Sequence, residues 1–89
     1  MKNFSKSDFT RDLDYKVQFI EDMKHLDKAL LGRIRRALEK IRKTPELGKP
    51  LHAPLGGLFA ERVGKIRIIY FYDEQTVHLV RCRERKEGY

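Results

Sequence analysis

The fold is decided by residues 58–72, which read LFAERVGKIRIIYFY. Two runs of β-branched and aromatic residues, 58–63 and 66–72, flank the pair Gly64-Lys65. Such runs favour strands and a glycine-containing pair favours a tight turn, so we predict a β-hairpin with a two-residue loop. A third strand is predicted over 77–82, after the turn Glu74-Gln75-Thr76.

The residues before this hairpin follow other patterns. Residues 15–20 alternate apolar and polar side chains, which predicts a strand that pairs with the later sheet. Over 21–43 apolar side chains recur at spacings of three and four, which predicts two helices divided by a cap at Asp27 and ended before Pro45. The proline-rich residues 44–57 predict a loop. The predicted fold class is α+β, a small antiparallel sheet of about four strands with a pair of helices packed on it.

Residues 1–14 have no clear periodicity, and both a short amphipathic helix and a mobile extension are compatible with them. We therefore predict an N-terminal extension over 1–14 and a single domain over 15–89. A chain of 89 residues with 40% hydrophobic and 37% charged residues is apolar enough to fold as one domain.

The charge and the cysteine content restrict the partners and the compartment. A net charge of +7 attracts polyanions, which admits nucleic acid, an acidic protein or an anionic membrane surface. The single Cys82 cannot form an intramolecular disulfide, and no Cys/His spacing is typical of a zinc site. No apolar run is long enough to span a membrane. We expect a cytoplasmic protein with no metal, no cofactor and no membrane partner.

Counting along the predicted strands places arginines from three of them on one face. A two-residue loop puts Arg62 opposite Arg67. If Asp73 lies opposite Val77 across the second turn, Arg83 also lies opposite Arg67. Like charges facing each other destabilise a sheet, so their convergence indicates an anion-binding site. The predicted cluster comprises Arg62, Arg67, Arg81 and Arg83.

Two interpretations of this cluster remain open at this point. In the first it binds phosphate. In the second the arginines pair with Glu61, Glu84 and Glu87 and keep the sheet edge solvated. The same alternation places His78 on the face opposite the arginines, so we expect it to take no part in the site.

The C-terminal residues 83–89, RERKEGY, put a phenol at the end of a cationic run. Guanidinium groups bind phosphate oxygens through a rigid fork of donors, and a tyrosine can stack on a base and exchange a proton. RNA is the substrate that this combination favours.

The order of elements, the stretch from Leu58 to Tyr70 and the C-terminal run together resemble the RelE branch of the RelE/ParE toxin superfamily, over residues 15–89. The resemblance implies a RelE-like domain and a ribosome-dependent endoribonuclease. Such an enzyme cleaves mRNA in the decoding site by metal-free attack of a 2′-OH on phosphate and is silenced by an antitoxin. By this resemblance the catalytic residues are Arg62, Arg67, Arg83, Arg85 and Tyr89, and we expect Lys65, Arg81 and Lys86 to bind RNA.

Two positions depart from the pattern of these toxins. Ala60 stands where the toxins have a basic residue, and Glu84 stands where many have a histidine that could move protons. Two alternatives therefore accompany the nuclease hypothesis: a ParE-like toxin that inhibits DNA gyrase without cutting RNA, and an RNA-binding member that has lost catalysis.

Overall fold

Residues 10–52 and 56–84, which a computed structural model describes, form two helices and a five-stranded sheet. The helices are α1 (Val17–Met23) and α2 (Lys28–Lys43), and a short 3-10 turn follows at Pro45–Leu47. The strands are β1 (Asp12–Tyr15), β2 (Lys49–Pro50), β3 (Phe59–Val63), β4 (Ile66–Tyr72) and β5 (Thr76–Glu84). Their order in the sheet is β1-β5-β4-β3-β2, with β1 parallel to β5 and the other pairs antiparallel. The predicted α+β architecture is confirmed, although the sheet is mixed and has one strand more than expected.

The first strand and the first helix differ from the sequence prediction. The strand predicted over 15–20 is wrong, because β1 ends at Tyr15 and α1 begins at Val17. Phe19 is fully buried and Met23, four residues later, packs against the same core, so this segment follows a helical period. A six-residue window is too short to separate the two periods. β1 itself lies largely within the predicted extension.

Helix α2 forms as predicted. The side chain of Asp27 accepts a hydrogen bond from the Leu30 backbone N–H at 2.8 Å, which caps the helix. Ile34, Leu38 and Ile41 form its buried stripe, and the helix ends one residue before Thr44-Pro45. Neither α1 nor α2 has the length and apolar composition needed to cross a membrane.

The helices cover one face of the sheet and build the core there. The buried stripe of α2 packs on side chains from β3, β4 and β5, among them Val63, Ile68 and Leu79. We call this the covered face, and we call the opposite side of the sheet the far face. Since side chains alternate along a strand, residues next to the core positions point to the far face.

Tyr70 joins the middle of β4 to the loop that follows α2. It is fully buried, and its hydroxyl donates a hydrogen bond of 2.6 Å to the Pro45 carbonyl. Gly48 lies directly against this hydroxyl, and a Cβ at that position would overlap with it. A glycine is therefore required at 48 by close approach.

The β3–β4 hairpin has the predicted two-residue turn. Val63 pairs with Ile66, and Gly64 adopts the left-handed region with φ +60°. This conformation is easy for glycine and matches the twist of a tight hairpin.

The β4–β5 pair contains a β-bulge that the sequence did not predict. Tyr72, not Asp73, lies opposite Val77, so the predicted alignment at the turn is wrong by one residue. Farther along, the register shifts once, and within the described strands Val80 has no partner on β4. Beyond Val80 the predicted pairing is restored, because the two one-residue offsets cancel.

Candidate anion-binding site on the far face

Three arginines lie side by side across β3, β4 and β5. Arg62 pairs with Arg67, and Arg67 pairs with Arg83, as predicted from the sequence. Their neighbours Val63, Ile66, Ile68 and Cys82 belong to the core, so the three arginines extend from the far face. We call Arg62, Arg67 and Arg83 the arginine row.

The hairpin end of this row forms a small depression. It has a volume of about 200 Å³ and is lined by Arg62, Lys65, Ile66, Arg67 and Glu84. Three of these side chains are cationic and one is anionic, so the depression is positively charged. The Arg62 Nε donates to the Gly64 carbonyl at 3.3 Å, and the Lys65 Nζ lies 3.5 Å from a Glu84 carboxylate oxygen. An exposed pair of that length is weak, and a phosphate group could compete for Lys65.

Arg81, which was predicted to join the cluster, is engaged elsewhere. Its Nε and Nη2 donate to the two carboxylate oxygens of Asp22 on α1, at 2.8 and 3.2 Å. The Asp22 side chain is only 10% exposed. Arg81 therefore joins β5 to α1 through an ion pair at the sheet edge.

Ala60, one of the two departures from the toxin pattern, lies beside the row. It pairs with Ile69 of β4, and both side chains are buried. The other departure, Glu84, is exposed and lines the depression itself. Arg85, Lys86 and Tyr89 lie outside the described residues, so their predicted roles stay predictions.

The prediction for His78 is wrong, because the bulge at Val80 reverses the alternation of β5. His78 pairs with Phe71 and stacks on its ring at a centroid distance of 4.5 Å, on the far face. Its Nδ1 lies 3.0 Å from Asp14 and its Nε2 lies 3.2 Å from Asp73. Which of the two ring nitrogens donates depends on the tautomer, and both face a carboxylate oxygen.

These contacts make His78 part of the fold rather than of the arginine row. It connects β1 to the β4–β5 turn, and it lies about 13 Å along the strand from the Arg67 position. Both neighbouring carboxyls are affected: hydrogen bonds from Lys16 and His78 lower the pKa of Asp14, and backbone N–H groups with His78 lower that of Asp73. Asp14 and His78 are 64 residues apart, so no local sequence signal could have indicated this contact.

Two further kinds of catalysis find no support in the described residues. Cys82 is buried, and burial together with the nearby Asp22 raises the pKa of its thiol to about 12, so it is a poor nucleophile. Across 10–52 and 56–84, no three His, Cys, Asp or Glu side chains are grouped so that they could hold a metal ion. What the site offers is positive charge in a fixed geometry.

Comparison with known proteins finds a family model that covers most of the chain. A family model described as the ParE toxin of the type II toxin–antitoxin system parDE matches residues 8–89. No match was found among curated proteins.

Solved structures share the fold. The RelBE2 toxin–antitoxin complex of Mycobacterium tuberculosis aligns with a TM-score of 0.77 at 26% identity, over 85% of this chain and 99% of that one. The YoeB dimer of Staphylococcus aureus gives 0.74 at 22% identity, over 86% and 99%. The RelBE complex of E. coli gives 0.72 at 14% identity, over 86% and 99%.

Proposed function

We propose that this chain, which belongs to the ParE toxin family of type II toxin–antitoxin systems, is an endoribonuclease that cleaves mRNA on the ribosome without a metal ion. The observation that carries the proposal is the arginine row. Three guanidinium groups from adjacent strands share one face, beside a depression of about 200 Å³ with a further lysine. Facing cations destabilise a sheet, and a bound phosphodiester would offset that repulsion.

The chemistry follows from what such a site can stabilise. The 2′-OH of one nucleotide attacks the adjacent phosphorus, the P–O5′ bond breaks, and a 2′,3′-cyclic phosphate and a free 5′-OH result. Negative charge grows on the non-bridging oxygens, and Arg62, Arg67 and Arg83 would neutralise it. We assign the proton transfer from the 2′-OH to the leaving O5′ to Tyr89, a further catalytic role to Arg85, and RNA contacts to Lys65 and Lys86. The ribosome would supply orientation by holding the mRNA in line for attack.

We further propose that the protein acts in the cytoplasm, where ribosomes work, and that a cognate antitoxin covers the site in the resting cell. Two of the structural relatives are toxin–antitoxin complexes. A net charge of +7 favours an acidic partner. An antitoxin that lies over the arginine row would block RNA by occupying the same cations.

A second candidate function is inhibition of DNA gyrase without RNA cleavage. The observation that favours it is the family model itself, which is described by the ParE toxin. This function would use the fold as a binding surface, and the arginine row would not need to meet a phosphodiester.

The deciding experiment maps mRNA ends after incubation of the purified protein with programmed ribosomes. We expect cleavage by the wild type and a loss of about 10²–10³-fold with Arg67→Ala, since one stabilising donor in a preorganised site contributes that much. The matched control is Arg36→Ala, an exposed arginine on α2, which should cut normally.

The same preparations are tested for inhibition of gyrase supercoiling. Intact mRNA together with inhibited supercoiling would replace the nuclease proposal with the second candidate. Equal cleavage by wild type and Arg67→Ala would show that the arginine row is not the active site.

A further inference from the structure

The alignment of the arginine row depends on the bulge in β5. In an antiparallel pair, the residue numbers of opposite positions have a constant sum as long as the register is unchanged. Between the turn and Val80 this sum is 149, as in Tyr72 with Val77. Beyond Val80 it is 150, as in Arg67 with Arg83. If the first register continued, Cys82 would face Arg67. Arg83 would then turn to the covered face and leave the row.

Two different groups hold β5 on either side of Val80. On the turn side, β1 pairs with β5 as far as Leu79, whose carbonyl also accepts from the Lys16 backbone N–H at 3.0 Å. On the other side, β1 has ended, and the side chain of Asp22 takes its place at the edge. Its carboxylate accepts from the Cys82 backbone N–H at 2.9 Å and from the Arg81 guanidinium.

The environment of Asp22 suits this role. The carboxylate is 10% exposed. Burial opposes its ionisation, but the hydrogen bonds from Arg81 and Cys82 outweigh burial and lower its pKa, so it is charged at neutral pH. A buried carboxylate with three donors from two consecutive residues of β5 fixes the backbone there more firmly than a neutral contact would.

We infer that Asp22 is a positioning residue: by holding Arg81 and the Cys82 amide just after the bulge, it sets the register in which Arg83 stands beside Arg67. The consequence for activity rests on the proposed function. The consequence for the sheet does not, and the two are tested separately.

The register can be read by disulfide cross-linking, because directly opposite residues in a sheet come within disulfide reach. One reporter combines Arg67→Cys, Arg83→Cys and Cys82→Ala, and it cross-links in the observed register. The other carries only Arg67→Cys and keeps the native Cys82, and it cross-links in the shifted register. Mild oxidation followed by peptide mass spectrometry gives the cross-linked fraction of each reporter. The ratio of the first fraction to the second measures how far the observed register is preferred.

We expect Asp22→Ala to lower that ratio about tenfold, since hydrogen bonds to a charged group contribute at least that factor. Glu21→Ala is the matched control. It removes a neighbouring acid on α1 that pairs only with an exposed lysine among the contacts seen in the described residues, and it should leave the ratio unchanged. An unchanged ratio with Asp22→Ala would overturn the inference and assign the register to the turn and the core.

Asp22→Asn covers the case in which the alanine variant does not fold. It keeps an acceptor for the Cys82 amide and removes the charge, so the ratio should fall by a smaller factor; no fall would again overturn the inference.

The cleavage assay tests the consequence for activity. Asp22→Ala and Arg83→Ala should each lower activity, and the double variant should lose no more than Arg83→Ala alone, because both changes remove Arg83 from the row. If Arg67→Ala cuts normally, the proposed function fails while the cross-link ratio still decides the role of Asp22.

Discussion

The two faces of the sheet are built on opposite principles. The covered face is apolar and closed, with Phe19, Ile68 and Tyr70 fully buried. The far face carries the arginine row at one end and His78 between two carboxylates at the other. Apolar burial on the covered face stabilises the fold, whereas the like charges that face each other on the far face lower the free energy of unfolding. Stability and anion binding should therefore respond to different substitutions.

The largest effect on stability is expected on the covered face. Phe19→Ala should lower the free energy of unfolding by about 3–5 kcal/mol, because it leaves a cavity in the core that the surrounding side chains cannot fill. Urea denaturation measures the change. Ile20→Ala is the matched control, since Ile20 is 41% exposed on the same helix and should cost far less. Similar losses for the two variants would contradict the burial assigned to α1.

A smaller effect is expected from the hydroxyl that joins β4 to the α2 loop. Tyr70→Phe leaves the Pro45 carbonyl without its donor and should cost about 1–2 kcal/mol. Burial is the main cause that raises the pKa of Tyr70 from 10.0 to about 12. The protonated phenol is thus favoured in the folded state, and its contribution is full below pH 10 and is lost as the pH rises from 10 towards 12.

Urea denaturation between pH 8 and 12 checks this pH dependence. The difference between wild type and Tyr70→Phe should shrink above pH 10, and Tyr72→Phe, in the same strand but only half-buried, serves as the control. A difference that is constant across this range would mean that Tyr70 ionises as readily in the folded as in the unfolded chain.

The smallest effect is expected on the far face, where it should change affinity rather than stability. Glu84→Gln removes the one negative charge from the depression and should strengthen binding of inorganic phosphate about two- to threefold at low salt. The free energy of unfolding should move by less than about 0.5 kcal/mol. Chemical-shift titration gives the affinity, with Glu74→Gln, in the turn at the other end of β4 and β5, as the control. Equal affinity in wild type and Glu84→Gln would mean that phosphate does not bind in this depression.

The sequence predicted best where structure is set locally. The two-residue turn at Gly64-Lys65 fixes the pairing of Arg62 with Arg67, because a tight hairpin allows one register. The Asp27 cap and the apolar stripe of α2 are local in the same sense. The pairing of Arg67 with Arg83 was also predicted, but through two offsets that cancel.

Contacts between distant segments were not predictable. β1 pairs with a strand 64 residues away, and Asp22, which lies on a helix, accepts a hydrogen bond from the Cys82 amide just after the bulge at Val80. The face of His78 depends on that bulge, so the alternation of β5 assigned His78 to the wrong face. The ion pair of Arg81 joins it to Asp22, 59 residues away, which alternation does not reveal. A side chain that stabilises an irregular backbone leaves no periodic signal.

The parallel pairing of β1 with β5 has a consequence for how the chain folds during synthesis. Asp12–Tyr15 are made 64 residues before the residues of Thr76–Glu84 with which they pair. Closing that long loop is the slow step expected for such a topology. The sheet that aligns the arginines cannot be completed until β5 has left the ribosome, so the arginine row forms only after Thr76–Glu84 have been made.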